Sequence, residues 1–183
     1  MDALDNILNR VSARLLKSPH PSQAEMKHVY KAALRAPDHA WLRPSSFIEV
    51  VGSGLDKLSD IFSQFAETLP DISDEIKEKY KRAPYRAPMI IILVNTSKEH
   101  PKGPIIEQKL STAASAQNIL LSLHALGYSG IWRTGKFAFN PFISSKLGLN
   151  DNQEILGYLY VGTPDGKNKK IPSLEIDNFV KKL

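Results

Sequence analysis

Three hydrogen-bond donors stand at alternate positions in the stretch NRVSAR: Arg10, Ser12 and Arg14. Alternate residues of an extended backbone share a side, so two guanidinium forks and a hydroxyl would face one way. Arginine is always charged and offers paired donors, a pattern that suits a phosphate. Arg10 also stands where a cation complements the C-terminal end of a helix dipole. Spacing alone leaves these two readings level.

A second concentration of chemistry lies in RAPDHAWLRPSSF, where Arg35 precedes a loop holding Asp38, His39, Trp41 and Arg43. Loops carried by rigid elements display binding groups, so Arg35 and His39 are read as acting together. A lone histidine is more often a hydrogen-bonded structural residue. In SGIWRTG, Trp132 and Arg133 lie between Gly130 and Gly135. One reading is a strand end with a core tryptophan. The other is backbone approach to a planar ligand, with Arg133 supplying charge. The five histidines show no metal-ligand spacing, and there is no cysteine. No GxSxG, GxGxxG or GxxxxGK[ST] signature follows a strand pattern. A borrowed cofactor is then the expected source of reactivity.

These groups need a scaffold, and apolar periodicity supplies one. Leu4, Ile7, Leu8 and Val11 mark a first helix. PSQAEMKHVYKAALRAP predicts a helix capped by Ser22 with Glu25 completing a capping box, its buried face Met26, Val29, Tyr30 and Ala33, and its end at Pro37. SFIEVVG reads as a strand. Leu55, Leu58, Ile61, Phe62 and Phe65 mark another helix, and a more charged one is expected over 72–82. APMIIILVNT is apolar on both faces, which predicts a central, doubly covered strand. A helix from Pro104 to Leu126, ended by Gly127, is rich in small residues (Ala113, Ala114, Ser115, Ala116), so another backbone should approach it closely. YSGIWRTG reads as a short strand, NPFISSKLG as a helix capped by Asn140, and EILGYLYVGTP as the last strand. The tail from Lys167 is polar, yet Leu174, Ile176, Phe179 and Val180 in it require burial against some surface.

The 183 residues are 42% hydrophobic and 23% charged, which suits one soluble globular domain. The acidic N-terminus, MDALDNILNR, does not read as an export signal. No apolar run approaches the roughly 20 residues of a membrane span. A cytoplasmic protein is expected. The net charge of +5 is scattered over Lys77, Lys79, Lys81 and Arg82 and over Lys167, Lys169 and Lys170. No aromatic interleaving accompanies it, so it reads as solvated surface and not as a nucleic-acid footprint.

Taken in order, helix–RVSAR, helix–RAPDHAWLRPSSF, small-residue helix–GYSGIWRTG and GYLYVGTP span essentially the whole chain. They resemble the FMN-dependent nitroreductase family, above all its compact YdjA-like subgroup. The resemblance implies an α+β fold: one domain, residues 1–183, with a central mixed β-sheet flanked by helices, in an intertwined homodimer. It implies FMN held by Arg10, Val11 and Ser12 at the phosphate, by Arg35 and His39 along the flavin, and by Ile131, Trp132 and Arg133. It assigns NAD(P) contacts to Leu121, Ser122, Leu123, His124, Ala125 and Leu126. The implied activity is ping-pong hydride transfer from NADH or NADPH, by way of flavin N5, to a nitroaromatic, quinone or similar acceptor. No catalytic side chain is required. Two departures bear on the acceptor pocket. The family's double arginine is Arg10-Val11 here, and its loop Pro-Trp is Pro44-Ser45, with a tryptophan at Trp41 instead. A non-catalytic flavin carrier or sensor, and a basic nucleic-acid-binding module, are the alternatives.

Overall fold

The computed structural model describes residues 2–166 and 169–183; Lys167, named among the basic residues above, lies outside them. Helices α1 (Ala3–Asn9), α2 (Gln23–Ala33), α3 (Ser53–Glu67), α4 (Asp74–Lys81), α5 (Ile105–Ala125) and α6 (Pro141–Lys146) surround five strands. These are β1 (Leu16–Lys17), β2 (Ser45–Val51), β3 (Met89–Thr96), β4 (Ser129–Arg133) and β5 (Gln153–Pro164). The order β1-β5-β3-β2 is extended by β4 pairing with β5, and each pairing among the described residues is antiparallel. This is the expected α+β class, a sheet flanked by helices.

β3 shows why the sheet has three layers. Ile90, Ile92 and Val94 turn to one side and pack with Leu58, Phe62 and Phe65 of α3. Met89, Ile91 and Leu93 turn to the other and pack with Met26 and Val29 of α2 and Ile119 and Leu123 of α5. All six β3 side chains are at most 1% exposed. Burying each fully contributes about 1.5–3 kcal/mol, so neither helical layer can leave without exposing half of β3.

The helix signals act where the sequence places them. Ser22 Oγ accepts from the Glu25 N–H at 3.3 Å while Glu25 Oε2 accepts from the Ser22 N–H at 2.7 Å, a complete capping box. Asn140 Oδ1 accepts from the N–H groups of Phe142 and Ile143 at the start of α6. α2 ends earlier than expected: Ala33 is its last residue and the chain turns through Leu34–Ala36 before Pro37. The proline restricts a chain that has already left the helix. The strand Leu16–Lys17, which no periodicity announces, pairs with Thr163 and Pro164.

Two elements bury less than their sequences demand. α1 has no buried residue; Leu4, Ile7 and Leu8 are 67%, 52% and 68% exposed. It rests on the end of α5 through polar contacts: Asn6 Nδ2 donates to the Leu121 carbonyl at 3.0 Å, and His124 Nδ1 lies 2.8 Å from Asn6 Oδ1. In the tail, Leu174, Ile176, Phe179 and Val180 are 59%, 64%, 69% and 58% exposed. The burial these side chains require is not supplied within one chain.

Candidate functional site

The residues expected to serve one ligand fall into two groups along α5. The first lies at its C-terminal end. Val11, Ser12, Ala13 and Arg14 wrap a cavity of about 150 Å³ whose far wall is Pro164–Gly166 and Lys169. Leu15 continues the same wall, so five consecutive residues line the cavity, and the segment curls around it and does not present alternate residues to it. Arg10 caps the end of α1, and its Nη1 is buried with no hydrogen-bond partner. Withdrawing a charged donor from water without a partner is costly, so this nitrogen is poised for an anion. That observation fits a phosphorylated cofactor and goes beyond what a helix-dipole role requires.

The second group lies at the other end of α5. Pro37, Asp38 and His39 face Glu107, Leu110, Ser111 and Ala114 across an open groove of about 520 Å³. His39 Nδ1 lies 3.5 Å from Glu107 Oε2, with both side chains substantially exposed, so the pair adds little stability. Arg35 is exposed just past α2. Asn6, which precedes Arg10 by about one turn, touches Leu121, whereas Pro37–His39 faces Ser111. Ten residues of α5 separate these points, roughly 15 Å at 1.5 Å per residue.

The loop between α2 and β2 is strained. Ala40, Trp41 and Arg43 have φ of 55°, 55° and 50°, values that non-glycine residues rarely adopt. Asp38 holds the loop together: its Oδ2 accepts from the Arg43 N–H at 3.0 Å and lies 3.4 Å from Arg43 Nη1. Lys98 Nζ donates to the Leu42 carbonyl at 2.7 Å. Ser45, where the resemblance expects tryptophan, turns into α5 and lies 3.0 Å from the Thr112 hydroxyl and 3.3 Å from that of Ser115.

The reading of glycines around Trp132 needs correction. The expectation was that Gly130 admits a flat ligand, because no core strand needs it. The structure shows that the core does need it: a Cβ there would lie 2.9 Å from Leu120 Cδ2 and 3.2 Å from the Tyr160 carbonyl. Trp132 is half-buried against the α2–α5 core and its Nε1 donates to the Leu156 carbonyl at 3.3 Å. Leu156 is the extra residue of a bulge, since Leu93 faces Gly157 and Val94 faces Ile155. Gly157, with φ 148°, lets the indole lie on β5; a Cβ would stand 2.1 Å from Trp132 Nε1. The Trp132 indole thus packs on β5. Arg133 differs. Its guanidinium lies 5.5 Å from the Tyr160 ring centroid and its Nε is buried without a partner. Burial pushes the Tyr160 hydroxyl up, while the charges of Arg86 and Arg133 pull it down. Ile131, on the other side of Trp132, packs against the α3 core.

Residues Leu121–Leu126 are largely committed. The Leu121 carbonyl and His124 hold Asn6 of α1, and Leu123 is fully buried; Ala125 and Leu126 remain exposed. Among the described residues there is no cluster suited to a metal ion and no helix long and apolar enough to cross a membrane. The basic stretch of α4 is partly neutralised, with Lys77 paired to Glu67 and Arg82 to Glu78.

The sequence model of the Nitroreductase family matches residues 7–163, a span that holds Arg10–Arg14, the Arg35–Arg43 loop and Ile131–Arg133. The chain belongs to the nitroreductase family. It is therefore an oxidoreductase by descent. The Escherichia coli K12 protein named "Putative NAD(P)H nitroreductase YdjA" is 34% identical over 167 residues, 91% of each chain. The nitroreductase-like family protein from Bacillus cereus superposes with a TM-score of 0.82 at 20% identity, covering 100% of this chain and 96% of that one. The nitroreductase NfnB from Sphigopyxis sp. strain HMH, described as FMN and NADPH-dependent, superposes with a TM-score of 0.79 at 15% identity, covering 100% and 99%. At these identities the two solved structures establish the fold.

Proposed function

We propose that the protein is a cytoplasmic, homodimeric FMN-dependent oxidoreductase that passes electrons by a ping-pong route from NADH or NADPH to a nitroaromatic, quinone or similar acceptor (A). The net reaction balances as NAD(P)H + H⁺ + A → NAD(P)⁺ + AH₂. The observation that carries this reading is the unpartnered, buried Nη1 of Arg10, the residue that leads into the cavity-lining segment Val11–Leu15. The cofactors named for YdjA and NfnB support it. When bound, FMN supplies the two-electron relay.

The chain's own residues then have separable tasks. Arg10, the Ser12 hydroxyl and Lys169 hold the phosphate at the C-terminal end of α5. Arg133, held over Tyr160, would supply a positive charge that favours the more negative, reduced form of a bound flavin. Arg35 and His39, displaced roughly 15 Å along α5, complete the site from a second copy. The open apolar faces of α1 and the tail supply the surface for that copy. Ala125 and Leu126 are the part of the Leu121–Leu126 stretch free to meet a nicotinamide. Protons come from solvent, since no side chain at the groove is required as an acid.

Replacing Arg10 by alanine tests the phosphate role against Lys79→Ala, an exposed lysine on α4. A charge-assisted contact contributes about 1.5–3 kcal/mol, so Arg10→Ala should weaken FMN binding about 10- to 150-fold in a fluorescence titration. Equal dissociation constants for the two variants would remove Arg10 from the site.

A further inference from the structure

We propose that Trp41 and Arg43 form the platform on which the electron acceptor docks, and that they favour planar, electron-poor rings carrying an anionic substituent. This rests on the oxidoreductase reading above and adds the acceptor's chemistry to it.

Trp41 is 78% exposed. The other large exposed apolar groups of α1 and the tail form runs of several residues that suit a second copy. Trp41 stands outside both, in the α2–β2 loop. Its backbone is held at φ 55° between Ala40 at 55° and Arg43 at 50°. Such conformations persist only where the surroundings over-determine them, and they cluster at ligand clamps. Here the surroundings do so from three sides. Asp38 accepts from the Arg43 N–H, Lys98 grips the Leu42 carbonyl, and Leu42 Cδ1 seats over Gly103, 2.7 Å from where a Cβ would stand. The loop is thus a rigid mount that turns an indole outward.

The mount is also chemically selective. The Arg43 guanidinium carbon lies 5.1 Å from the Trp41 ring centroid, and the Arg43 side chain is 59% exposed. An indole is electron-rich, so an electron-deficient ring such as a nitroarene or quinone stacks on it favourably. A carboxylate or similar group on that ring then meets the Arg43 donors other than the Nη1 that faces Asp38, a charge-assisted contact. Two residues before Trp41, in the same 3-10 turn, His39 lines the 520 Å³ groove. A ring held at Trp41 stands two residues along the chain from that groove.

The test compares p-nitrobenzoate, nitrobenzene and ferricyanide as acceptors for the FMN-loaded protein. Stacking of this kind converts to about a 2- to 12-fold change in affinity. Trp41→Ala should raise KM for both nitroarenes by that factor with kcat held, should leave KM for ferricyanide alone, and should be rescued by Trp41→Phe. Arg43→Gln should raise KM for p-nitrobenzoate far more than for nitrobenzene. A second readout needs no turnover. The chain has two tryptophans, and saturable quenching of their emission by p-nitrobenzoate should vanish in Trp41→Phe, which leaves only Trp132. Unchanged nitroarene KM values with saturable quenching intact in Trp41→Phe would overturn the proposal. So would an equal rise for ferricyanide, or loss of FMN from Trp41→Ala, since either makes Trp41 a support of the cofactor site. Protein that neither binds FMN nor oxidises NAD(P)H would sink the oxidoreductase reading instead, and the quenching measurement would still judge the platform.

Discussion

Removing residues 174–183 should convert a flavin-bearing dimer into a monomer that has lost its flavin. Leu174, Ile176, Phe179 and Val180 are between 58% and 69% exposed in one chain. Full burial of such a side chain contributes about 1.5–3 kcal/mol, so the exposed fraction leaves about 1–2 kcal/mol available at each. Four of them make about 4–7 kcal/mol per chain, against which ordering costs of about 0.5–1.5 kcal/mol per side chain must be set. With the lower gain set against an ordering cost of about 0.5 kcal/mol per side chain, about 2 kcal/mol per chain remains; doubled by symmetry this is about 4 kcal/mol, or about a thousandfold in the dimer dissociation constant. Folding of the remaining chain should survive, because none of the four belongs to either core cluster. Sedimentation equilibrium across a range of concentrations, read at both protein and flavin wavelengths, gives the result. A truncated protein that sediments as a yellow dimer with the affinity of the full chain would refute the reasoning.

Two further outcomes follow from the same geometry. Arg133→Ala should lower the reduction potential of the bound flavin, since a fixed cation favours the more negative reduced form; losing about 1.4 kcal/mol corresponds to about 30 mV for two electrons, and redox titration checks it. Tyr30, Tyr158 and Tyr160 have hydroxyls pushed above their ordinary 10.0, chiefly by burial. The folded form therefore resists ionisation that the unfolded chain accepts, so the tyrosines' contribution to stability should be constant from neutral pH towards pH 10 and fall above it by up to about 1.4 kcal/mol per pH unit per tyrosine, as urea melts at stepped alkaline pH would record.

The elements were legible where local chemistry decides them. β3 announces a covered strand because it is apolar on both faces, and both faces are in fact occupied. Ser22 with Glu25, and Asn140 with Pro141, announce helix starts because their side chains meet backbone donors a few residues away. What depends on distant residues was not legible. The period of Leu4, Ile7 and Leu8 gives a helix but does not reveal that its stripe stays open in one chain. Gly130 looks the same in sequence whether it admits a ligand or Leu120; only the packing of α5 on β4 decides. The positive φ values of Ala40, Trp41 and Arg43 carry no residue-type signal, because the clamps that impose them come from Asp38, Lys98 and Gly103. Arg10 and His39 read in the sequence as parts of one site, and chain order cannot show that the Pro37–His39 loop faces Ser111 while the helix leading into Arg10 meets α5 at Leu121.

The central claim is that this chain binds FMN and passes electrons through it, and one spectrum tests it directly. Protein purified with FMN present, then gel-filtered, should be yellow, with the two absorption bands of oxidised flavin. Under anaerobic conditions NADH or NADPH should bleach those bands, and a quinone or nitroarene should restore them. Colourless protein after reconstitution would contradict FMN binding, and yellow protein that neither nucleotide bleaches would leave a flavin carrier in place of an enzyme.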